Sequence, residues 1–289
     1  MCTNKTYQPK TICDDHLDIH GATGSVNIAF NYRGVPLKLT CDFLLQGYDV
    51  RPKRKEFIHP DPPFARIFLF QTAGGEYKAG GKVYRLVPGR IHLLPPGQPF
   101  EVAYHANSEL LFFHLHVYDH AMMSIFNGMS GLPALEDKAL VGRLLTTWRA
   151  QDSLRVKLAV LDAVAMFASA RLEEMRSHFE LTRKFKPLFD ALRDTPPGQL
   201  RVKSLADEMG MTRAALSKSF GRAMGMPLKD YLTRLFLKKA CERLLYSGMP
   251  VAEVATALGH RDAHYFHRAF KKLTGMTPDA YRKTGLRSL

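Results

Sequence analysis

Residues 202–224 read VKSLADEMGMTRAALSKSFGRAM, and this stretch predicts two short helices joined by a tight turn. Apolar residues recur at helical spacing on one face of each helix. Gly210 stands where a helix C-terminus favours a residue with positive φ, and Thr212 is suited to cap the next helix. Leu216 and Phe220, four residues apart, then point inward. The stretch therefore predicts a helix-turn-helix unit.

Residues 251–274, VAEVATALGHRDAHYFHRAFKKLT, repeat this pattern. Gly259 takes the turn, Asp262 takes the N-cap, and Phe266 and Phe270 point inward. Each unit is followed by a glycine and then a proline that can open another helix, where its missing N–H costs nothing. The region is predicted to be an internal duplication of the unit.

The charge of the chain is concentrated in this region. Residues 183–289 carry 21 Lys and Arg against 9 Asp and Glu, whereas residues 1–182 carry 20 against 18. A nearly neutral front half joined to a strongly basic back half indicates a polyanionic partner for the back half.

A predicted helix at residues 228–247 separates the two units. At about 1.5 Å per residue it spans roughly 30 Å. This length is close to the ~34 Å between successive major-groove faces on one side of DNA. One chain is therefore expected to place both second helices in adjacent turns of the groove.

From about residue 184 to 286, the order of glycines, aromatic residues and prolines closely resembles the AraC/XylS-type transcription regulators. The residues that carry the resemblance are Ala206, Gly210, Phe220, Gly225, Pro227, Tyr231, Leu232, Ala240, Leu244, Leu245, Ala255, Gly259, Phe266, Phe270, Lys271, Gly275, Pro278, Tyr281 and Arg282. The resemblance implies that the second helix of each unit reads double-stranded DNA. It assigns this role to Arg213, Ala214, Ser217 and Lys218 in the first unit and to Ala263, His264, His267 and Arg268 in the second.

The chain departs from the family pattern at two positions. Phe236 stands where members often carry Arg, and His260 stands where they often carry Phe or Tyr. Ala214 and Ala263 are also small for reading positions, which favours contact with thymine methyl groups or recognition of DNA shape.

The front of the chain predicts a different architecture. Residues 25–118 contain short or alternating apolar runs broken by Gly and Pro, which indicate an all-β sandwich or barrel. Residues 134–182 show helical spacing, with Leu154, Leu158, Leu161, Val164 and Phe167 or Ala168 as one stripe for packing on the β domain or for a dimer seam. We predict an α+β chain with a cupin-like jelly roll at 1–130, a helical dimerisation segment at 131–182 and an all-α double helix-turn-helix domain at 183–289.

The stretch from Gly89 to Tyr104 resembles a cupin signature, with Phe100 at the place of a metal-binding histidine. Phe68 and Phe70 stand where a His-x-His pair is expected, and phenylalanine cannot bind a metal. The resemblance therefore implies a barrel that holds a small-molecule effector, with a carbohydrate suspected, and no metal or other cofactor.

Polar candidates for this pocket are Arg51, Arg66, His114 and His116, with Phe100 in the wall. Arginine can donate paired hydrogen bonds to hydroxyl or carboxylate groups. His114 and His116 share one face of a strand. That spacing suits ligand contacts, structural hydrogen bonds or a metal, and the sequence leaves these alternatives open.

The remaining features limit the class of protein. Cys2, Cys13, Cys41 and Cys241 are scattered, which predicts free thiols in a reducing cytoplasm, with Cys241 packed inward. The N-terminal residues lack an apolar signal region, and no apolar run is long enough to span a membrane.

The leading hypothesis is a cytoplasmic, homodimeric DNA-binding regulator, not an enzyme, whose effector shifts the dimer between two arrangements. By resemblance, activation together with RNA polymerase is the expected output. The alternatives are a cupin-type metalloenzyme with an accessory DNA-binding domain and a DNA-repair fusion with a reactive cysteine. The first would need metal ligands, and the second an electropositive cysteine site.

Overall fold

The computed structural model describes residues 17–20, 24–59, 64–97 and 99–287. In chain order these residues form a β sandwich, a helical segment and an all-α C-terminal domain. The predicted fold class, α+β with a β-rich N-terminal part and a helical C-terminal domain, is confirmed. Cys2 and Cys13 lie outside the described residues.

The sandwich has eleven strands within the described residues. They are β1 Leu17–His20, β2 Gly24–Tyr32, β3 Val35–Arg51, β4 Lys55–His59, β5 Ala65–Thr72, β6 Gly75–Ala79, β7 Lys82–Leu86, β8 Ile91–Leu94, β9 Phe100–Tyr104, β10 Ser108–Tyr118 and β11 Ala134–Leu135. One sheet has the order β1-β3-β10-β5-β8-β11, with β2 also beside β3, and the other has the order β4-β9-β6-β7. The paired strands run antiparallel.

Strand β10 lies at the centre of the larger sheet, between β3 and β5. Leu111, Phe113 and Leu115 pack on one side of this sheet in the core shared with the helical segment. Leu110 and Phe112 face the other side, in an aromatic core between the two sheets. Because successive side chains of a strand point to opposite faces, this one strand contributes to both cores.

The hairpin of β6 and β7 shows why glycine is needed at its turn. Gly80 and Gly81 take φ of +56° and +74°. A two-residue hairpin loop with positive φ at both positions matches the twist of the strands, and glycine adopts it at least cost.

The helical segment consists of α1 Lys138–Arg149, α2 Ser153–Ser169 and α3 Leu172–Thr182. The predicted apolar stripe on α2 is divided between two faces. Val164 and Phe167 are buried against the sandwich, whereas Leu154 and Leu158 are 69% and 53% exposed. Ten residues at about 100° each place Val164 roughly 80° from Leu154 around the helix axis. Val164 is turned toward the sandwich, and Leu154 is left in solvent.

The C-terminal domain comprises seven helices within the described residues. They are α4 Lys186–Asp194, α5 Val202–Glu208, α6 Arg213–Met224, α7 Leu228–Tyr246, α8 Val251–Ala257, α9 Ala263–Thr274 and α10 Pro278–Arg287. The predicted caps are confirmed, since Thr212 accepts from the Ala215 N–H at 3.1 Å and Asp262 from the His264 N–H at 2.8 Å. Both predicted turn glycines have positive φ.

Helix α7 belongs to the cores of both helix-turn-helix units. Leu228, Tyr231 and Leu235 pack in the first core, which also includes Ala121 and Met122 of the loop after β10. The later turns of α7, including Cys241, pack in the second core. The prediction that Cys241 packs inward is confirmed by its burial.

Candidate DNA-binding interface and effector site

Helix α6 presents a polar face to solvent. Leu216 and Phe220 are fully buried beneath it. The four residues predicted to read DNA from this helix are all exposed: Arg213, Ala214, Ser217 and Lys218. The Thr212 cap fixes the start of the helix, where the free backbone N–H groups favour a phosphate.

Helix α9 repeats this geometry fifty positions later, with Phe266 and Phe270 buried. His264 and Arg268 are exposed in the positions equivalent to Ala214 and Lys218. Ala263 and His267, also predicted readers, are only partly exposed, and His267 Nε2 lies 3.9 Å from a carboxylate oxygen of Asp279.

Tyr265 lies on the same solvent face of α9 and is 54% exposed. Tyr265 was not among the residues predicted to read DNA, because aromatic residues of amphipathic helices usually pack inward. Helical geometry alone could have identified it. Tyr265 lies 100° before the buried Phe266 and three residues before Arg268, so it borders the face that carries Arg268.

A second connection besides α7 holds the two units together. The Gly198 N–H donates to the Leu258 carbonyl oxygen at 2.7 Å. A Cβ added at Gly198 would meet that oxygen at 2.8 Å, and one added at Gly259 would meet Gln199 Cγ at 3.0 Å. The segment before α5 therefore packs directly on the turn between α8 and α9. With α7 spanning about 28 Å, helices α6 and α9 keep a fixed relation.

The surroundings of both reading helices are basic. Four lysines near helices α6 and α9 are exposed: Lys203, Lys229, Lys271 and Lys272. Exposed lysines and arginines on such a face attract the DNA backbone without selecting a sequence.

The interior of the sandwich is lined by aromatic rings. Phe68, Phe70 and Phe100, which the resemblance to cupins predicts at the places of metal ligands, are all buried there. The Arg66 guanidinium lies 4.5 Å from the Phe64 ring centroid and 5.2 Å from that of Phe100. Burial lowers the pKa of Arg66, and nearby tyrosine hydroxyls oppose that effect.

Arg51 is also buried, and its Nε donates to Asp49 Oδ2 at 2.6 Å. Its guanidinium stacks 5.3 Å from the Phe57 ring centroid and 5.8 Å from that of Tyr104. A buried ion pair of this geometry orients Arg51 along the aromatic wall.

His114 and His116 share one face of β10, and both contact helix α7. His114 Nδ1 and the Tyr246 hydroxyl are hydrogen-bonded at 2.9 Å. His116 Nε2 is paired with a carboxylate oxygen of Glu242. These two histidines therefore lie where the sandwich meets the C-terminal domain.

Charged groups on α7 are partly buried in this contact. Burial alone would raise the pKa of Glu242, but His116, Lys238 and Lys239 outweigh it and lower the pKa to about 2. Lys238 Nζ lies 4.1 Å from the Tyr118 ring centroid. The available sequence signal was the i, i+4, i+8 spacing of Lys238, Glu242 and Tyr246, which places all three on one face of the helix.

In the described residues, no group of three or more His, Cys, Asp or Glu side chains is arranged to hold a metal ion. None of the described helices has the length and apolar character required to cross a bilayer.

Comparisons with known proteins agree with the helical geometry. A family model described as a helix-turn-helix domain matches residues 205–284. The HTH-type transcriptional activator RhaR of Pectobacterium carotovorum is 28% identical over 160 residues, which are 54% of this chain and 55% of RhaR. The MmsAB operon regulatory protein of Pseudomonas aeruginosa is 26% identical over 125 residues, 41% of each chain. These matches support the resemblance of the C-terminal domain to AraC/XylS-type transcription regulators.

A solved structure also resembles the fold beyond the helix-turn-helix domain. The structure of ToxT from Vibrio cholerae bound to (E)-4-(8-methylnaphthalen-1-yl)but-3-enoic acid matches with a TM-score of 0.50 at 12% identity, over 83% of this chain and 98% of ToxT. This likeness concerns the fold alone. The chain spans about half the length of the curated relatives it matches.

Proposed function

We propose that this protein is a cytoplasmic, sequence-specific DNA-binding regulator that activates transcription by RNA polymerase under the control of a small molecule. The observation that carries the proposal is the repeated pair α6 and α9. Each helix is N-capped, buries two apolar side chains and turns a polar or basic face to solvent. Two such helices in a basic domain suit successive major grooves of one duplex.

Within this proposal the side chains have separate roles. Lys218 and Arg268, at equivalent positions, would donate to guanine or phosphate, and Ser217 and His264 to base edges. The capped N-termini and the surrounding lysines would hold phosphates and set the register.

The test begins with selection of binding sites from a randomised duplex library by the full-length protein. Affinity for the selected site is then measured by fluorescence anisotropy across a salt series. Log affinity should fall steeply with log salt because several phosphates are neutralised. Failure to enrich any sequence, or a flat salt dependence, would refute the proposed function.

Arg268→Ala separates base reading from phosphate contact. If Arg268 reads a base, the variant should lose about 1–3 kcal/mol on the selected site and much less on random duplex. Equal loss on both duplexes would make it a phosphate contact. Arg155→Ala is the matched control, because Arg155 is exposed on α2 and paired with Asp152.

For the effector, the chemistry of the sandwich interior supports an apolar carboxylate. Aromatic rings supply most of the lining: Phe57, Phe68, Phe70, Tyr77, Phe100, Tyr104 and Phe112. Arg66 places a guanidinium among them, which suits one carboxylate. The carbohydrate suspected from the resemblance would need partners for several hydroxyls, so we rank it second.

A thermal-shift screen against sugars, sugar acids and apolar carboxylic acids tests this ranking. A bound effector at about one hundred times its dissociation constant should add about 2.7 kcal/mol to native stability. The shift should be lost in Arg66→Lys and kept in Arg90→Lys, since Arg90 is exposed and paired with Glu136. A response to sugars alone would reverse the ranking.

We also propose a homodimer formed through α2. Leu154 and Leu158, which lie about 40° apart around the helix, expose 69% and 53% of their surface on the side away from the sandwich. Apolar side chains at this spacing suit a second copy of the same helix. Leu158→Asp should convert the dimer to a monomer in light scattering, whereas Val83→Asp, at an exposed strand position, should not. A monomeric wild type would refute the dimer, and a dimeric Leu158→Asp would exclude α2 as its interface.

A further inference from the structure

Tyr265 is unusual among the residues of α9. It is a large side chain that stays 54% exposed on the helix proposed to read DNA. A tyrosine ring offers a large apolar face and a polar hydroxyl, which suits it to contact a partner at this surface. Its neighbour three residues later is Arg268, so the two side chains lie next to each other on the helix surface.

Tyr265 is supported from below by the two residues that depart from the family pattern. The rings of Phe236 and His260 meet edge to face, with centroids 5.3 Å apart and an interplanar angle of 87°. The His260 ring then lies 5.5 Å from that of Tyr265 at 39°. Phe236, His260 and Tyr265 therefore form a continuous aromatic stack, which we call the α9 stack.

The contact between Phe236 and His260 joins the two positions at which this chain differs from the family pattern. Where the family pattern often has a basic residue at 236 and an aromatic residue at 260, this chain has the aromatic residue at 236 and the basic one at 260. Among the described residues, His260 Nε2 is buried and has no hydrogen-bond partner. Burial and then the charge of Arg201 lower the pKa of His260, so its ring is neutral and stacks as an aromatic group.

We infer that Tyr265 is a specificity-determining residue of α9 and that His260 and Phe236 position it. This inference rests on the proposed DNA-binding function and extends it. The tyrosine ring would pack on the 5-methyl group of a thymine in the major groove, beside the base pair contacted by Arg268. The methyl group distinguishes thymine from cytosine by apolar contact alone, and the Tyr265 ring can provide this contact when it projects from the helix surface.

Because Tyr265 is exposed, its substitution can change DNA recognition without changing the stability of the fold. Substitution of an exposed side chain away from caps and cores changes stability little, so Tyr265→Ala should fold as the wild type does. Leu273→Ala is the matched control, because Leu273 is 42% exposed on the last turn of the same helix.

The experiment selects sites from one randomised duplex library with full-length wild type, Tyr265→Ala, Leu273→Ala, His260→Ala and His260→Phe. The wild type and Leu273→Ala should select a thymine next to the base pair whose preference Arg268→Ala removes. Tyr265→Ala should lose about tenfold in preference for that thymine and keep the other positions. His260→Ala should lose part of the same preference, and His260→Phe should retain it because the stack is preserved.

The outcomes distinguish failure of the role inferred for Tyr265 from failure of the proposed DNA-binding function. An unchanged site for Tyr265→Ala, with a specific wild type, would overturn the inference and leave the proposed function intact. A wild type that enriches no sequence would overturn the proposed function itself. Equal preferences for His260→Ala and wild type would show that the α9 stack does not position Tyr265.

Discussion

Replacing Tyr246 with phenylalanine removes one hydroxyl from the contact between the sandwich and the C-terminal domain. That hydroxyl is hydrogen-bonded to His114 Nδ1 at 2.9 Å. His114 is buried, and the Tyr246 ring packs edge to face on Phe64 with centroids 5.6 Å apart. Phenylalanine keeps the ring contacts, so the substitution isolates the hydrogen bond.

The expected cost follows from the burial of His114. A buried polar atom that loses its partner costs about 1–3 kcal/mol. The neighbouring pair of His116 and Glu242 is unchanged, so the domains should stay in contact with reduced stability. Truncation to alanine would also remove the ring and should cost more, about 3–5 kcal/mol.

The assay is urea unfolding followed by two signals. The chain has one tryptophan, Trp148 on α1, whose ring lies 6.4 Å from that of Phe113 in the sheet, so its fluorescence reports on the N-terminal half. Far-ultraviolet circular dichroism reports mainly on the helices. Because Tyr246 joins the two parts, Tyr246→Phe should lower the transition midpoint in both signals.

Tyr265→Phe is the control, since it removes a hydroxyl from an exposed tyrosine and should leave both midpoints unchanged. If Tyr246→Phe matched this control, the hydrogen bond to His114 would contribute nothing to stability and the reasoning would be refuted. A shift in only one signal would show that the two parts unfold independently.

Three further changes test other parts of the structure. Burial alone would lower the pKa of His178, but Asp119 raises it above the ordinary 6.5. The stability from this pair is therefore full below pH 6.5 and lost as pH rises, so the difference in unfolding free energy between wild type and His178→Gln should shrink in alkali; a growing difference would contradict this. Gly198→Ala should destabilise by about 1–3 kcal/mol in thermal unfolding because its Cβ would meet the Leu258 oxygen at 2.8 Å. Gly221 lies on α6, and a Cβ added there would have the Met226 carbonyl oxygen 3.9 Å away as its nearest neighbour, so Gly221→Ala should instead stabilise by about 0.5–1 kcal/mol. A stabilising Gly198→Ala with a destabilising Gly221→Ala would refute the packing argument.

Local signals in the sequence predicted the helix-turn-helix units well. The turn at Gly210, the cap at Thr212 and the inward pair Leu216 and Phe220 depend on residues within one or two turns of each other. Backbone conformation and capping are short-range effects, so twelve residues are enough to specify them.

The sequence did not predict which surfaces meet. The helical spacing of α2 indicated one apolar stripe. Only the packing of α2 on the sandwich decided that Val164 is buried and Leu158 exposed. Periodicity gives the angle of a side chain around its own axis and carries no information on the neighbouring element.

By itself, the sequence determined two capped helix-turn-helix units in a basic domain behind a β-rich half, because these depend on local conformation and composition. Only the tertiary structure decided that His114 meets Tyr246, 132 positions away, and that Phe236 and His260 stack beneath Tyr265. Such contacts arise when distant segments bury surface together. Their partners are chosen by the shape of the whole fold, which no local pattern encodes.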